Sequence, residues 1–167
     1  MGYGQASEPI TNVSQDSLWR AMLYSARNPG QCGLDVDDVD VRGVAMSGEK
    51  YAVTQRTMRL SEKSGSPTVT ENIRFNECAQ EITFRPVANG VESEEERVYA
   101  LRTDPLRLEM FSRSSKDGAR SDWQAPSSMC VSIFDATVAV AVLNQSSSCE
   151  KPGSGASGHA KTDCQQQ

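Results

Sequence analysis

Apolar and polar residues alternate along residues 51–110, and turn-forming residues interrupt the alternation at short intervals. Because successive side chains of a strand point to opposite faces, this pattern predicts an antiparallel sheet with one apolar face. Asn89-Gly90 is a strong turn dipeptide within this region. The predicted strands are residues 51–61, 68–76, 81–87, 97–102 and 106–113.

Two further segments carry helical or mixed patterns. In residues 15–27, apolar residues recur at helical spacing behind Ser14, a favourable N-cap, and Asn28-Pro29-Gly30 predicts the end of the helix. Residues 129–143 fit one side of a helix, but the alternation within 138–142 fits a strand equally well. Their length favours the helix.

The resulting element order predicts an α+β fold. A weak edge strand in residues 2–10 precedes the first helix, and a strand around 39–45 follows it. The run of antiparallel strands and the last helix complete a pattern in which a curved sheet wraps around that helix and leaves a cavity. Residues 1–145 are expected to form one domain, and residues 146–167 a disordered tail rich in Ser, Gly and Gln.

Composition excludes several classes of protein. The chain has 167 residues, with 17 Lys and Arg against 22 Asp and Glu, for a net charge of -5. A nucleic-acid surface is not expected from this balance. The sequence shows neither a signal peptide nor an apolar run long enough to span a bilayer, so we expect a cytoplasmic protein. The acidic run of residues 92–96 predicts a solvated loop.

The scarcity of histidine limits the chemistry. The single histidine, His159, lies in the predicted tail, and the five cysteines are widely spaced, which predicts buried or free thiols. No zinc-ligand spacing and no glycine-rich phosphate loop is present, so neither a metal nor another cofactor is expected. Chemistry must therefore use carboxylates, Arg, Lys, Tyr, Cys or the shape of a pocket.

Arg56 and Glu71 are the ionisable residues that interrupt apolar strand faces. Arg56 shares a face with Met58, and Glu71 shares a face with Ile73 and Phe75. One interpretation is an internal ion pair that only satisfies two buried charges. The other is a catalytic pair, in which Glu71 acts as general acid or base and Arg56 stabilises an oxyanion.

Several short motifs, in this order, resemble the AtaL-like family, a former domain of unknown function in the START-like (SRPBCC) superfamily. The motifs are Leu18-Trp19, Ala26-Arg27-Asn28-Pro29-Gly30, Arg56, Glu71-Asn72-Ile73, Asp104-Pro105-Leu106 and Asp117-Gly118-Ala119-Arg120-Ser121-Asp122-Trp123. The resemblance implies the helix-grip fold and a hydrophobic-ligand cavity between the sheet and the C-terminal helix. Many fungal members accompany secondary-metabolite pathways. The last helix departs from the family pattern because it is short and poor in charge.

Three functions follow as hypotheses. The favoured one is a cofactor-independent cyclase, isomerase or dehydratase that acts on a hydrophobic, polyketide- or alkaloid-like intermediate. The others are a non-catalytic carrier of such a molecule, and a protein-interaction module with a solid core. The sequence is compatible with a homodimer. The expected substrate-binding residues are Met58, Ile73, Phe75, Phe84, Tyr99, Leu108, Met110 and Phe134.

Overall fold

One antiparallel sheet and two helices make up the computed structural model, which describes residues 4–61, 63, 65, 67–123 and 125–148. The elements are β1 Gln5–Ala6, α1 Gln15–Arg27, a 3-10 turn Pro29–Gln31, β2 Val36–Val44, β3 Val53–Leu60, β4 Thr68–Asn76, β5 Glu81–Ala88, β6 Val91–Glu92, β7 Glu95–Arg102, β8 Arg107–Ser114, β9 Arg120–Ser121 and α2 Ser127–Ser148. The strand order is β1-β8-β7-β5-β4-β3-β2, and the short strands β6 and β9 pair with β5 and β8. This is the α+β, helix-grip arrangement predicted from the sequence.

The hydrophobic core lies between the concave face of the sheet and the two helices. Leu18 and Met22 of α1, Ile73 and Ile82 of the sheet, and Phe134 of α2 belong to one buried cluster. Strand alternation places every second residue of each strand on this face. The first helix has the predicted bounds, and the side chain of its N-cap residue Ser14 accepts a hydrogen bond from the Ser17 amide.

The last helix is longer than expected. It covers Ser127–Ser148, 22 residues against the predicted 129–143, and so extends three residues into the predicted tail. The strand alternative for this segment is wrong. Residues 127–147 are also long and apolar enough to span a membrane by length and composition alone. The remainder of the predicted tail, residues 149–167, lies outside the described residues.

The convex face of the sheet carries a network of ion pairs that the sequence pattern does not predict. The prediction of a solvated loop over residues 92–96 holds only for Ser93 and Glu94, since Glu92 lies in β6 and Glu96 is buried in β7. Glu96 accepts hydrogen bonds from Arg85 at 3.0 Å and Arg113 at 2.8 Å. The convex-face network consists of Arg74, Arg85, Arg102, Arg113, Arg120, Glu49, Glu81, Glu92, Glu96 and Glu109.

Some of the described cysteines are free thiols and one is disulfide-bonded. Cys32 and Cys130 are free thiols in the core, as predicted. Cys78 is disulfide-bonded, so the prediction of a thiol is wrong at this position. Cys149 and Cys164 lie outside the described residues, as does His159.

Candidate functional site

Arg56 and Glu71 meet as the alternation predicts. The antiparallel register of β3 and β4 places them directly opposite each other on the concave face. The terminal guanidinium nitrogen Nη2 of Arg56 lies 2.7 Å from Oε2 of Glu71, and their side chains are 4% and 1% exposed. The site therefore contains an ion pair that is almost completely withdrawn from water.

A third charged residue, Arg97 of β7, completes the cluster. Its guanidinium donates to Oε1, the other carboxylate oxygen of Glu71. The side chain of Arg97 is 32% exposed, so this member alone reaches the surface. Arg97 shares its strand face with Tyr99 and Leu101, and the alternation test that found Arg56 and Glu71 would also have found Arg97.

Arg56 also connects the sheet to the first helix. Its Nη1 donates to the carbonyl oxygen of Ala26 at 2.7 Å, in the last turn of α1. A cation is favourable there because the carbonyl groups at a helix C-terminus carry partial negative charge. The guanidinium carbon lies 5.1 Å from the centre of the Phe84 ring. The remaining donor, Nε, is buried without a hydrogen-bond partner.

The cluster carries an excess of one positive charge. Burial alone would raise the pKa of Glu71, but the charges of Arg97 and Arg56 outweigh burial and hold that pKa below its ordinary value of 4.5. Burial lowers the pKa of Arg56, and Glu71 opposes this shift. Guanidinium groups stay protonated in proteins. In this arrangement Glu71 is an ionised carboxylate with both oxygens occupied, and a weak base.

The predicted cavity between sheet and helices is present but small. Its volume is about 30 Å³, which matches one or two water molecules rather than the roughly 300–1,000 Å³ of a small-molecule site. The internal cavity is lined by Ser25, Ala26, Pro29, Cys32, Leu34, Arg56, Phe84, Arg97, Tyr99, Met110 and Ile133. Any larger ligand therefore requires the cavity to widen.

The predicted substrate-binding residues are placed in four different environments. Phe84, Tyr99 and Met110 line the internal cavity. Met58, Ile73 and Leu108 are buried core residues that do not line it. The guanidinium carbon of Arg27 lies 4.7 Å from the centre of the Phe75 ring. Phe134 belongs to the buried core cluster and also lines a groove between α2 and residues 6–12.

The other reactive groups near the cavity are neutral and hydrogen-bonded. The hydroxyl of Tyr99 donates to Oγ1 of Thr137 at 2.9 Å, and burial raises the pKa of Tyr99. Burial likewise raises the pKa of the Cys32 thiol, although a hydrogen bond with Ser25 opposes the shift. Neither residue offers a thiolate or phenolate nucleophile. Within the part of the chain that the structure describes, no three His, Cys, Asp or Glu side chains form a metal-binding group.

A separate surface cleft of about 330 Å³ lies on the outer side of Arg97. Its walls come from the ends of β5, β7 and β8 and from the segment that leads into α2. The surface cleft is lined by Pro86, Ser93, Glu95, Arg97, Ser112, Trp123 and Ala125. Its volume reaches the lower bound for small-molecule sites.

Comparison with solved structures gives a distant likeness to a protein of known structure. No family model and no curated protein matches the chain, so its resemblance to the AtaL-like family stays a prediction. Among solved structures, the chain is similar to the Zhui aromatase/cyclase from Streptomyces sp. R1128. The match has 12% sequence identity and a TM-score of 0.42, and it covers 86% of this chain and 94% of the other. A likeness this distant carries no information about ligand or reaction.

Proposed function

We propose that this protein takes up a hydrophobic small molecule with an acidic oxygen and acts on it as a cofactor-independent cyclase, isomerase or dehydratase. The observation that carries the proposal is the buried cluster of Arg56, Glu71 and Arg97, with two cations against one carboxylate. The polyketide- or alkaloid-like intermediates of secondary metabolism are the class of substrate that fits this description.

The excess charge supports the binding step. Two guanidiniums beside an apolar wall attract a carboxylate, an enolate or a phenolate, and arginine pairs with such oxygens through parallel hydrogen bonds. Phe84, Met110 and Ile133 supply the apolar part of the wall. A neutral hydrocarbon gains nothing from the cluster, so the acidic oxygen is the part of the ligand that the site selects.

The arrangement also provides an acid-base group that binding would activate. When a ligand oxyanion takes one guanidinium from Glu71, the carboxylate loses part of the charge that keeps it ionised, and its pKa rises. Glu71 then accepts a proton from a carbon next to a carbonyl group, and the resulting enolate is stabilised by Arg56. Return of the proton at another carbon gives an isomer. Attack of the enolate on a second carbonyl closes a ring, and loss of water can follow.

The proposed reaction requires only one positioned acid-base group. One positioned acid-base group contributes about 10²- to 10⁴-fold in rate, which suffices for an intermediate that is already reactive. The enzyme needs the cavity to widen on binding and water to be excluded around the cluster. Neither a metal nor a nucleotide takes part in the proposed step.

A non-catalytic carrier is the second candidate, and one observation favours it. In the resting structure, Glu71 is ionised and paired, while Tyr99 is neutral and hydrogen-bonded. No free acid or base therefore faces the internal cavity among its described lining residues. A carrier would use Arg56 and Arg97 to hold the ligand and would release it unchanged.

Metabolite profiles of the source cells distinguish the two candidates. Extracts from cells with the wild-type gene, a deletion, Glu71→Gln and the surface control Arg20→Gln are compared by liquid chromatography and mass spectrometry. The enzyme proposal expects deletion and Glu71→Gln to accumulate the same precursor, which is isomeric with the normal product or differs from it by water. Arg20→Gln should match the wild type, because that side chain is 70% exposed on α1.

The same experiment can reject the proposal. If Glu71→Gln behaves like the wild type while deletion only lowers the yield of an unchanged product, the protein is a carrier. If deletion changes no small molecule, neither candidate holds and a protein-interaction role replaces them. The amount of folded Glu71→Gln protein is measured in each extract, so that loss of protein is not taken for loss of activity.

A further inference from the structure

Arg97 lies between the internal cavity and the surface cleft. Among the described residues, it is the only one that lines both the internal cavity and the surface cleft. The cleft is about ten times larger than the cavity, at 330 Å³ against 30 Å³. A ligand seated in the cleft would therefore meet the outer side of the Arg97 guanidinium before any other part of the cluster.

Arg97 is also the less firmly held of the two arginines. The side chain of Arg56 is 4% exposed and donates to both Glu71 and the Ala26 carbonyl, whereas that of Arg97 is 32% exposed and donates to Glu71. The Phe84 ring lies 5.1 Å from the Arg56 guanidinium carbon and 5.8 Å from that of Arg97. Turning Arg97 outward breaks fewer contacts than any movement of Arg56.

The walls of the cleft define the chemistry of its ligand. Trp123, Pro86 and Ala125 provide apolar surfaces, and an indole ring favours stacking with a flat ring. Arg97 provides one cation for a carboxylate. Glu95 places a negative charge at the rim, where its Oε1 accepts a hydrogen bond from the Ser121 hydroxyl at 2.8 Å. A second carboxylate on the ligand would be repelled by Glu95.

We propose that the surface cleft binds aromatic monocarboxylates, and that Arg97 turns from Glu71 to the ligand carboxylate and so opens the route to the internal cavity. The route from the cleft to the internal cavity rests on the proposed function, whereas carboxylate binding in the cleft is independent of it. In this arrangement Glu71 and the ligand compete for the same guanidinium. Binding in the cleft thereby releases one oxygen of Glu71.

Calorimetry with purified protein tests the cleft directly, with 2-naphthoate as the probe and 2-naphthamide as its neutral counterpart. The wild type is expected to bind the acid at least about tenfold more tightly than the amide, the range for a hydrogen bond to a charged group. Arg97→Gln should lose this preference, and Arg20→Gln should keep it. The proposal is overturned if the wild type does not bind the acid, or if Arg97→Gln binds it as the wild type does.

Two further variants test the competition and the specificity. Glu71→Gln weakens the internal partner of Arg97, so 2-naphthoate should bind it more tightly than it binds the wild type; a purely structural Arg97 predicts no gain. Glu95→Gln changes an exposed side chain and leaves the core intact. It should bring naphthalene-2,6-dicarboxylate close to the affinity of 2-naphthoate. An unchanged preference for the monocarboxylate in Glu95→Gln contradicts the assigned role of the rim.

These outcomes are separable from those of the metabolite experiment. If a precursor accumulates in Glu71→Gln cells but 2-naphthoate binding ignores Arg97, the proposed function stands and the route through the cleft is wrong. If 2-naphthoate binds through Arg97 while no metabolite changes, the cleft is confirmed as a carboxylate site and the proposed enzyme is wrong.

Discussion

The strongest stability prediction concerns which member of the buried cluster is removed. Glu71→Gln keeps the shape of the side chain but leaves Arg56 and Arg97 as neighbouring cations, one of them only 4% exposed. Leaving a buried charge without its partner costs about 3–5 kcal/mol. Arg97→Gln instead leaves a neutral pair of Arg56 and Glu71. Because Arg97 is 32% exposed, its loss should cost only about 1–2 kcal/mol.

Urea unfolding measures these differences. With a slope of about 2 kcal/mol per molar urea, a loss of about 4 kcal/mol lowers the unfolding midpoint by about 2 M. Arg20→Gln serves as the control, since its pair with Asp16 on α1 is about 70% exposed on both sides and should contribute less than about 0.5 kcal/mol.

The double variant Glu71→Gln/Arg97→Gln tests whether the three residues act as one electrostatic unit. Removing Arg97 after Glu71 also removes the repulsion between two cations, so the double variant should be no less stable than Glu71→Gln alone. Residues in one ion-pair network show non-additive effects of about 0.5–3 kcal/mol. If the single losses simply add, or if Arg97→Gln costs more than Glu71→Gln, the electrostatic account of the cluster is refuted.

Two other predictions concern acid and backbone geometry. Partner arginines, against the effect of burial, hold the pKa values of Glu71, Glu92 and Glu109 below 4.5. These ionised carboxylates stabilise the folded state fully above pH 4.5, and the stabilisation is lost as pH falls through their lower folded pKa values. Thermal scans that show no loss of stability down to about pH 3 would contradict this prediction. Gly33→Ala should cost about 2–4 kcal/mol in urea unfolding, since φ is +89° and a Cβ would meet the α2 backbone at 2.7 Å. Gly118→Ala, with φ +72° and open space, should cost about 1 kcal/mol.

The parts of the fold that sequence predicts well are those specified by nearby residues. The first helix has its N-cap, its apolar stripe and its stop signal within 17 residues, Ser14 to Gly30, and its bounds are confirmed. The β3–β4 hairpin has a similar local basis, because alternation fixes which residues share a face. The opposition of Arg56 and Glu71 follows from that alternation together with the hairpin register.

The predicted end of the last helix is wrong because the serine-rich composition of residues 146–148 is typical of a loop or tail. Serines usually indicate a loop or tail, but the hydroxyls of Ser146 and Ser147 donate to the carbonyl oxygens of Val142 and Leu143, four residues earlier. Such bonds satisfy the serine hydroxyl within a helix. A pattern of residue types does not show whether a hydroxyl bonds to its own helix or to water.

Arg97 was missed for a different reason. It lies on β7, which is separated from Glu71 on β4 by the intervening strand β5. Their contact depends on two successive pairings, Glu71 opposite Pro86 and Phe84 opposite Arg97, rather than on one hairpin. The predicted strand 97–102 already contained Arg97, so alternation gives the face of this residue but not its partner. The volume of the cavity, which depends on side-chain packing, has no counterpart in the sequence pattern.

The two faces of the same sheet carry their charges differently, and this difference supports the proposed function. On the convex face, five arginines and five glutamates balance one another at side-chain exposures of 7–41%, where water shares the cost of their charges. On the concave face, Arg56 and Glu71 are at most 4% exposed, and Arg97 leaves one positive charge in excess. Apolar residues of similar volume often replace such a buried cluster without loss of stability. The fold alone therefore does not require the buried pair of Arg56 and Glu71, and the proposed binding of an acidic ligand supplies a reason for it.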